Sequence, residues 1–205
     1  IFGMWCRIGE GCYIGAGSTI GMWCRIGARS RIGDGSIMAE DCEIGVGSII
    51  GRKCKIGAGS TIGERSIIGA GSTIGMWCRI GARCEIGDGS IMAEDCEIGV
   101  GSIIGRKCKI DLRSIIGEGC EIGEGCKIGG HKLLHRRVNS VSGCGEESRT
   151  LYVWNTEDGV YCQAGCFFDT EEMFRSAVLK KYGMHVYYLK ALDLLLSLSL
   201  IHISE

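Results

Sequence analysis

The chain has 205 residues, with 23 basic side chains against 24 acidic ones and a net charge of −1. That balance excludes the positive footprint that nucleic acid or an anionic membrane surface selects. Glycine is abundant at 35 residues and proline is absent, which suits a body in which almost every strand has a partner on both sides.

Across residues 2–127 one six-residue phrase repeats without a break: IGEGCY, IGAGST, IGMWCR, IGARSR, IGDGSI, MAEDCE and onward. An aliphatic residue opens nearly every hexad (Ile8, Ile14, Ile20, Met38), glycine usually follows, and Ser or Cys holds the fifth place (Cys12, Ser18, Cys24, Cys42). A fixed short period predicts a solenoid whose units bury their apolar faces only against their neighbours. Each hexad supplies one short strand and one turn, and three hexads close a triangular coil. The 21 hexads of residues 2–127 therefore make seven coils. At one strand spacing per coil the prism is roughly 34 Å long. The opening aliphatic points inward, the small fifth residue packs beside it, and glycine serves the crowded or positive-φ corners.

A longer repeat lies on the first. Residues 14–55 and 68–109 match except at Ser30/Cys84 and Arg31/Glu85, an offset of 54 residues or three coils. Such near-identity reads as a recent duplication or as an assembly error in repetitive DNA, and either leaves the hexad phase intact.

Of the 14 cysteines, eleven stand at the fifth place, interchangeably with Ser (Cys6, Cys12, Cys24, Cys42, Cys54, Cys78, Cys84, Cys96, Cys108, Cys120, Cys126). They read as small, reduced interior residues rather than a disulfide framework. Stacked neighbours such as Cys6, Cys24 and Cys42 lie one strand spacing apart, a little wide for the usual disulfide geometry. A reducing, cytoplasmic setting is the matching expectation.

Outward positions carry the interface candidates. Met4, Trp5, Met22, Trp23, Met76 and Trp77 fall on one edge of the prism, an apolar ridge suited to burial against a partner subunit. The competing reading folds each of them over its own coil. Ile49 and Ile67, at the sixth place on another face, add to the interface case. Arg25 with Glu43 and Arg79 with Glu97 are predicted as stacked ladder pairs, worth under ~1 kcal/mol each.

The hexad pattern resembles the hexapeptide-repeat superfamily: an aliphatic residue, a small or acidic one, two free positions, a small residue and one more. The resemblance implies an all-β solenoid in the form of a left-handed parallel β-helix, an exception to the usual right-handed crossover. It also implies a homotrimer, and a choice between acyltransferases, carbonic-anhydrase-like metal enzymes and plain scaffolds. Acyltransferases of this kind use a His general base at a subunit interface, and the metal enzymes need clustered His ligands. Residues 2–127 contain no His and no inserted loop to build an acceptor pocket. Asp34, Glu40, Asp41, Asp88, Glu94 and Asp95 recur regularly at corners and read as solvated turn residues, so no catalytic residue is assigned.

After residue 130 glycine thins out and aromatics appear. Residues 131–148 read as a linker opening on a short basic helical turn. A hairpin is predicted from strands at 150–154 and 160–164 around the turn signal Asp158-Gly159. Asp169 with Glu172 predicts a capping box. Met173, Phe174, Ala177 and Val178 supply an apolar helix face that Gly183 ends, and a second helix is expected over 187–195. Residues 149–197 thus form a small α+β (ββαα) domain that needs support from the solenoid's end or from a partner. Its Gly165, Cys166, Thr170, Glu171, Glu172 and Phe174 resemble the C-terminal piece of hexapeptide-repeat proteins of gut bacteria and their phages, a resemblance that carries no established activity.

His131 and His135, spaced i, i+4, with Cys162 and Cys166, also four apart, form the candidate metal set, since both spacings fall in the zinc range. The competing reading is a solvated His pair and two hairpin cysteines packing on the helix. A Cys–His nucleophile from the same residues lacks a marked oxyanion hole or orienting third group. No cofactor is expected. The chain opens at Ile1 in mid-solenoid, so upstream coils or a leader are expected to be missing. Residues 198–205 (LSLIHISE) resemble the in-frame translation of a sequencing adapter and are set aside. The apolar run 194–196 is far short of the roughly 20 residues that a span needs.

Two functions compete. The first is a non-catalytic structural or binding scaffold, a rigid stalk displaying the C-terminal domain to an unidentified partner, cytoplasmic or virion-associated. The second is an acyltransferase with acyl-CoA as co-substrate, its catalytic His lying outside the coils, at His131 or His135, or lost by truncation. Neither reading involves nucleic acid or membrane.

Overall fold

The computed structural model describes residues 1–134, 139–144, 149–165, 167–183 and 187–201. A two-residue strand recurs every six residues, from β1 (Arg7–Ile8), β2 (Tyr13–Ile14) and β3 (Thr19–Ile20) to β19 (Ile115–Ile116), β20 (Glu121–Ile122) and β21 (Lys127–Ile128). Each strand pairs in parallel with the one three further on, so three ladders of seven strands wind side by side, one of them extended by a later antiparallel strand. The register puts like on like: Ile62 lies between Ile44 and Ile80. The expected seven-coil parallel β-solenoid is thus the observed architecture.

The period follows from what each place meets. The first residue of a strand faces solvent and the second faces the axis, where Ile20, Ile50, Ile68 and Ile74 have no exposed surface. Glycine after the aliphatic is set by close approach of coils: a Cβ at Gly63 would lie 2.5 Å from the Val46 amide nitrogen. The fifth residue must be small, and most of its occupants donate, the buried Ser48 and Ser90 hydroxyls being exceptions. The Ser30 hydroxyl donates to the Gly27 carbonyl at 2.8 Å, while the thiols of Cys24 and Cys42 donate to the Gly3 and Gly21 carbonyls of the preceding coil at 3.1 and 3.3 Å. Ser and Cys interchange because both fit that space and both are able to donate to a carbonyl of the wall.

Beyond the coils, β22 (His131–Lys132) pairs antiparallel with β21. A four-stranded antiparallel sheet follows in the order β23 (Asn139–Cys144), β24 (Arg149–Thr156), β25 (Gly159–Ala164), β26 (Phe167–Thr170). Helices α1 (Glu171–Tyr182) and α2 (Tyr187–Ile201) complete the chain. The stretch expected as a linker therefore contributes two strands, and the expected ββ pair is the centre of a wider sheet. The sequence NSVSGC of β23 is polar and bulged between Val141 and Cys144, so it lacks the alternation that marks a strand and borrows its order from β24. The cap of α1 also moves by one residue. Thr170 is the N-cap, its hydroxyl accepting from the Met173 amide at 3.4 Å, and the Asp169 carboxylate accepts the Thr170 amide instead, at 2.8 Å.

The sheet's two faces serve two cores. Tyr152 and Trp154, with Tyr161 and Phe168 beside them, continue the apolar interior of the coils. Leu151, Val153, Cys162 and Ala164 point the other way, onto Phe174, Val178, Tyr188 and Leu192 of the helices. Alternation with period two thus lets one sheet seal the last coil and carry the helices. Among the described residues no helix is long and apolar enough to cross a membrane.

Candidate functional site

Three places could carry a function: the ridge along one edge, the polar junction at the end of the coils, and the clefts around the cap. The ridge is where the sequence expects it. Trp5, Trp23 and Trp77 each occupy the fourth hexad place in the left-handed region, at φ 62°, 54° and 55°. Bulky residues rarely adopt that conformation. Trp5 and Trp77 are 69% and 60% exposed, and the rings of Trp5 and Trp23 stack with centroids 4.6 Å apart. Met4 is exposed, whereas Met22 and Met76 are half-buried beside their tryptophans. Ile49 and Ile67 are neighbours in the middle ladder, both exposed.

Charge is arranged along the same axis. Arg25 reaches Glu43 at 2.9 Å and Arg79 reaches Glu97 at 3.3 Å, the two ladder pairs read from the sequence. Asp34 does more than solvate a turn. Its carboxylate accepts the Arg52 amide of the next coil at 2.8 Å, and that bond, with the guanidinium beside it, holds its pKa below the usual carboxylate range. Asp88 and Arg106 repeat the contact at 2.7 Å.

At the end of the coils His131 lies with its Nδ1 2.9 Å from Asp158 Oδ2. Its ring stacks on Tyr161 at 4.0 Å and, farther off, on Phe168 at 6.2 Å. The neighbouring Lys132 pairs with Glu157. Asp158 entered the sequence reading only as half of a turn signal; its partner lies 27 residues away, beyond any local pattern. Beneath this junction the buried Gln163 donates to the Ser114 carbonyl at 2.9 Å and accepts from the Trp154 indole at 3.3 Å.

The proposed metal set is only partly within view. His135 and Cys166 lie outside the described residues. His131 packs on the coil side of the sheet, while Cys162 is fully buried on the helix side, where burial pushes its thiol up to about 12. The structure does not bring these two together. Among the described residues no group of three or more His, Cys, Asp or Glu is placed to hold a metal ion. Burial also raises the thiols of Cys42, Cys54, Cys84 and Cys120, so they stay protonated near neutrality and are poor nucleophiles. Cysteines among the described residues are free thiols.

Two clefts flank the cap. One of about 300 Å³ opens between the last coils and the sheet, lined by Asp95, Arg113, Ile115, Arg149, Tyr152 and Gln163 among others. The other, about 220 Å³, lies between sheet and helices, with Phe167, Phe174, Tyr182 and Tyr188 in its wall and Arg149 and Lys181 beside them. His131 lines neither; a third cleft, of about 310 Å³, opens on the last coils at Lys109, Asp111, Lys127 and Gly130, the residue before His131.

Against known proteins, the model of the family described as bacterial transferase hexapeptide (six repeats) matches residues 41–75 and 65–100. No curated protein and no solved structure matches this chain.

Proposed function

Since the coils belong to the hexapeptide-repeat superfamily, which includes acyltransferases and structural proteins alike, we propose that this chain is a non-catalytic binding scaffold, a rigid β-solenoid stalk that displays a small sheet-and-helix cap. The observation that carries this reading is the unbroken ladder. Twenty-one strands keep one register without an inserted loop, and the cap is fused to them through a shared core rather than hung on a tether. A body of this kind transmits position along its length and offers regular surfaces, but it has no wall of loops to enclose a substrate. Assembly as a homotrimer, with the Met–Trp edge buried between subunits, fits the exposed apolar ridge. The buried free thiols support a reducing compartment.

The runner-up is acyl transfer from acyl-CoA, favoured by one contact. With Nδ1 held by Asp158, His131 has the His–carboxylate pairing by which a general base is oriented and its other nitrogen freed to take a proton. Thermal unfolding in saturating acetyl-CoA separates the two. A ligand at one hundred times its Kd stabilises by about 2.7 kcal/mol, so a raised Tm that His131→Ala removes supports transfer. An unchanged Tm supports the scaffold. Light scattering on the same sample counts the subunits, and a monomer would end the trimer proposal.

A further inference from the structure

The cleft of about 220 Å³ between sheet and helices lies wholly within the cap. Its floor is fixed, since Phe174, Val178 and Tyr188 are buried in the helix-side core. Its walls are aromatic. Phe174 meets Phe167 edge-on at 5.4 Å and 67°, and Tyr188 at 6.1 Å and 75°, while Tyr182 stacks on Tyr188 at 5.7 Å. Ring edges and ring faces are thus both presented, and a further ring entering the hollow gains the same kinds of contact.

The charge at this cleft has one sign. Arg149 and Lys181 both line it, and among the described residues no acidic side chain does. Arg149 opens β24, and its guanidinium lies over Gly165, where a Cβ would stand 2.8 Å from Nη1; glycine at φ 60° keeps that position open. Lys181 comes from the last turn of α1, its Nζ 4.9 Å from the centre of the Tyr182 ring. Sheet and helix therefore each bring one cation to an otherwise apolar hollow. Apolar and aromatic walls with a few polar groups to fix orientation are the usual make-up of a small-molecule site.

We propose that this cleft binds a single-ring aromatic carboxylate. Size sets the ring count. A dry cavity of about 150 Å³ accommodates benzene, so about 220 Å³ takes one ring and a short acid-bearing arm, without room for a second ring. Charge sets the arm, because a carboxylate makes a charge-assisted contact with Arg149 or Lys181, whereas an ammonium is repelled by both. The inference goes beyond the scaffold reading and does not depend on it, since the cap would carry the same cleft on an enzyme.

The test follows the Val178 methyl signals in carbon–proton NMR of the full chain, assigned by their loss in Val178→Ala, while phenylacetate is titrated in. Val178 and Ala177 both line the cleft. The expected result is a saturable shift with an apparent Kd in the millimolar range or tighter, as suits so small a ligand. Acetate has the charge without the ring, and phenethylamine has the ring with the opposite charge; each should bind at least tenfold more weakly. Ala177→Phe should abolish the shift by filling the hollow with a ring of the chain's own. Should that variant not fold, Lys181→Glu reverses one charge at an exposed position and should weaken phenylacetate at least tenfold. The proposal is overturned if the Val178 methyls do not respond, if acetate or phenethylamine binds as well as phenylacetate, or if a folded variant binds phenylacetate as the parent chain does.

Discussion

Replacing Gln163 tests whether cap and coils form one body. Its side chain is 2% exposed and joins three parts of the junction, donating to the Ser114 carbonyl of the coils at 2.9 Å and accepting from Trp154 of the neighbouring strand at 3.3 Å. Gln163→Ala strands a buried indole N–H and a buried carbonyl, each costing about 1–3 kcal/mol. Together the two cost about 2–6 kcal/mol before any lost packing is added. For a cooperative chain of this length that is a fall in Tm of about 4–24 °C. Gln163→Met keeps most of the volume and none of the polarity, so it should recover the packing share alone.

A solenoid need not unfold as one unit, so the location of the loss matters as much as its size. Hydrogen exchange read by segment should show faster exchange in β24 and β25 with the amides of residues 43–80 unchanged, because the damage is confined to the seal. A Gln163→Ala variant that melts within about 1 °C of the parent chain and keeps native protection across β24 and β25 would refute the reasoning; the junction would then rest on Tyr152 and Trp154 alone.

Further tests are simpler. Ile68→Ala, at a site with no exposed surface, should cost about 2–5 kcal/mol in denaturant unfolding, with faster exchange spreading to both neighbouring coils. Trp77→Gly removes a bulky residue from φ 55° and should raise the stability of the isolated chain by about 1 kcal/mol, seen as a higher Tm. Burial raises the Cys162 thiol from its ordinary 9.0 to about 12, so the native state keeps a proton that the unfolded chain gives up. Its contribution is complete below pH 9 and is lost as pH rises toward 12. The stability gap between the parent chain and Cys162→Ala should therefore narrow over that window, in urea titrations at successive pH values.

The coils were legible because every residue in them has its environment set by neighbours 18 positions away, and the period makes those neighbours known. Ile62 must face Ile44 and Ile80, and Arg25 must meet Glu43. The hairpin of β24 and β25 was legible from Asp158-Gly159, a purely local signal. Strands β23 and β26 were not. One is polar and bulged, the other is the short FFDT run before a helix, and both are held as strands by pairing with the central hairpin. The His131–Asp158 contact was hidden for the same reason.

The fourth hexad place carries a cost that separates its occupants. Glycine meets the left-handed corner easily, whereas a side-chain-bearing residue is strained there by about 1–2 kcal/mol. Eleven non-glycine residues nevertheless hold such corners at positive φ. Several recover part of the cost within the chain: Arg29 reaches Glu10 at 3.2 Å, Arg113 clamps two carboxylates, and Trp5 stacks on Trp23. Trp77 is different. It is 60% exposed, and among the described residues no ring stacks on it. A strained, exposed indole without such a ring partner is a corner residue whose strain the isolated chain sheds when glycine replaces it.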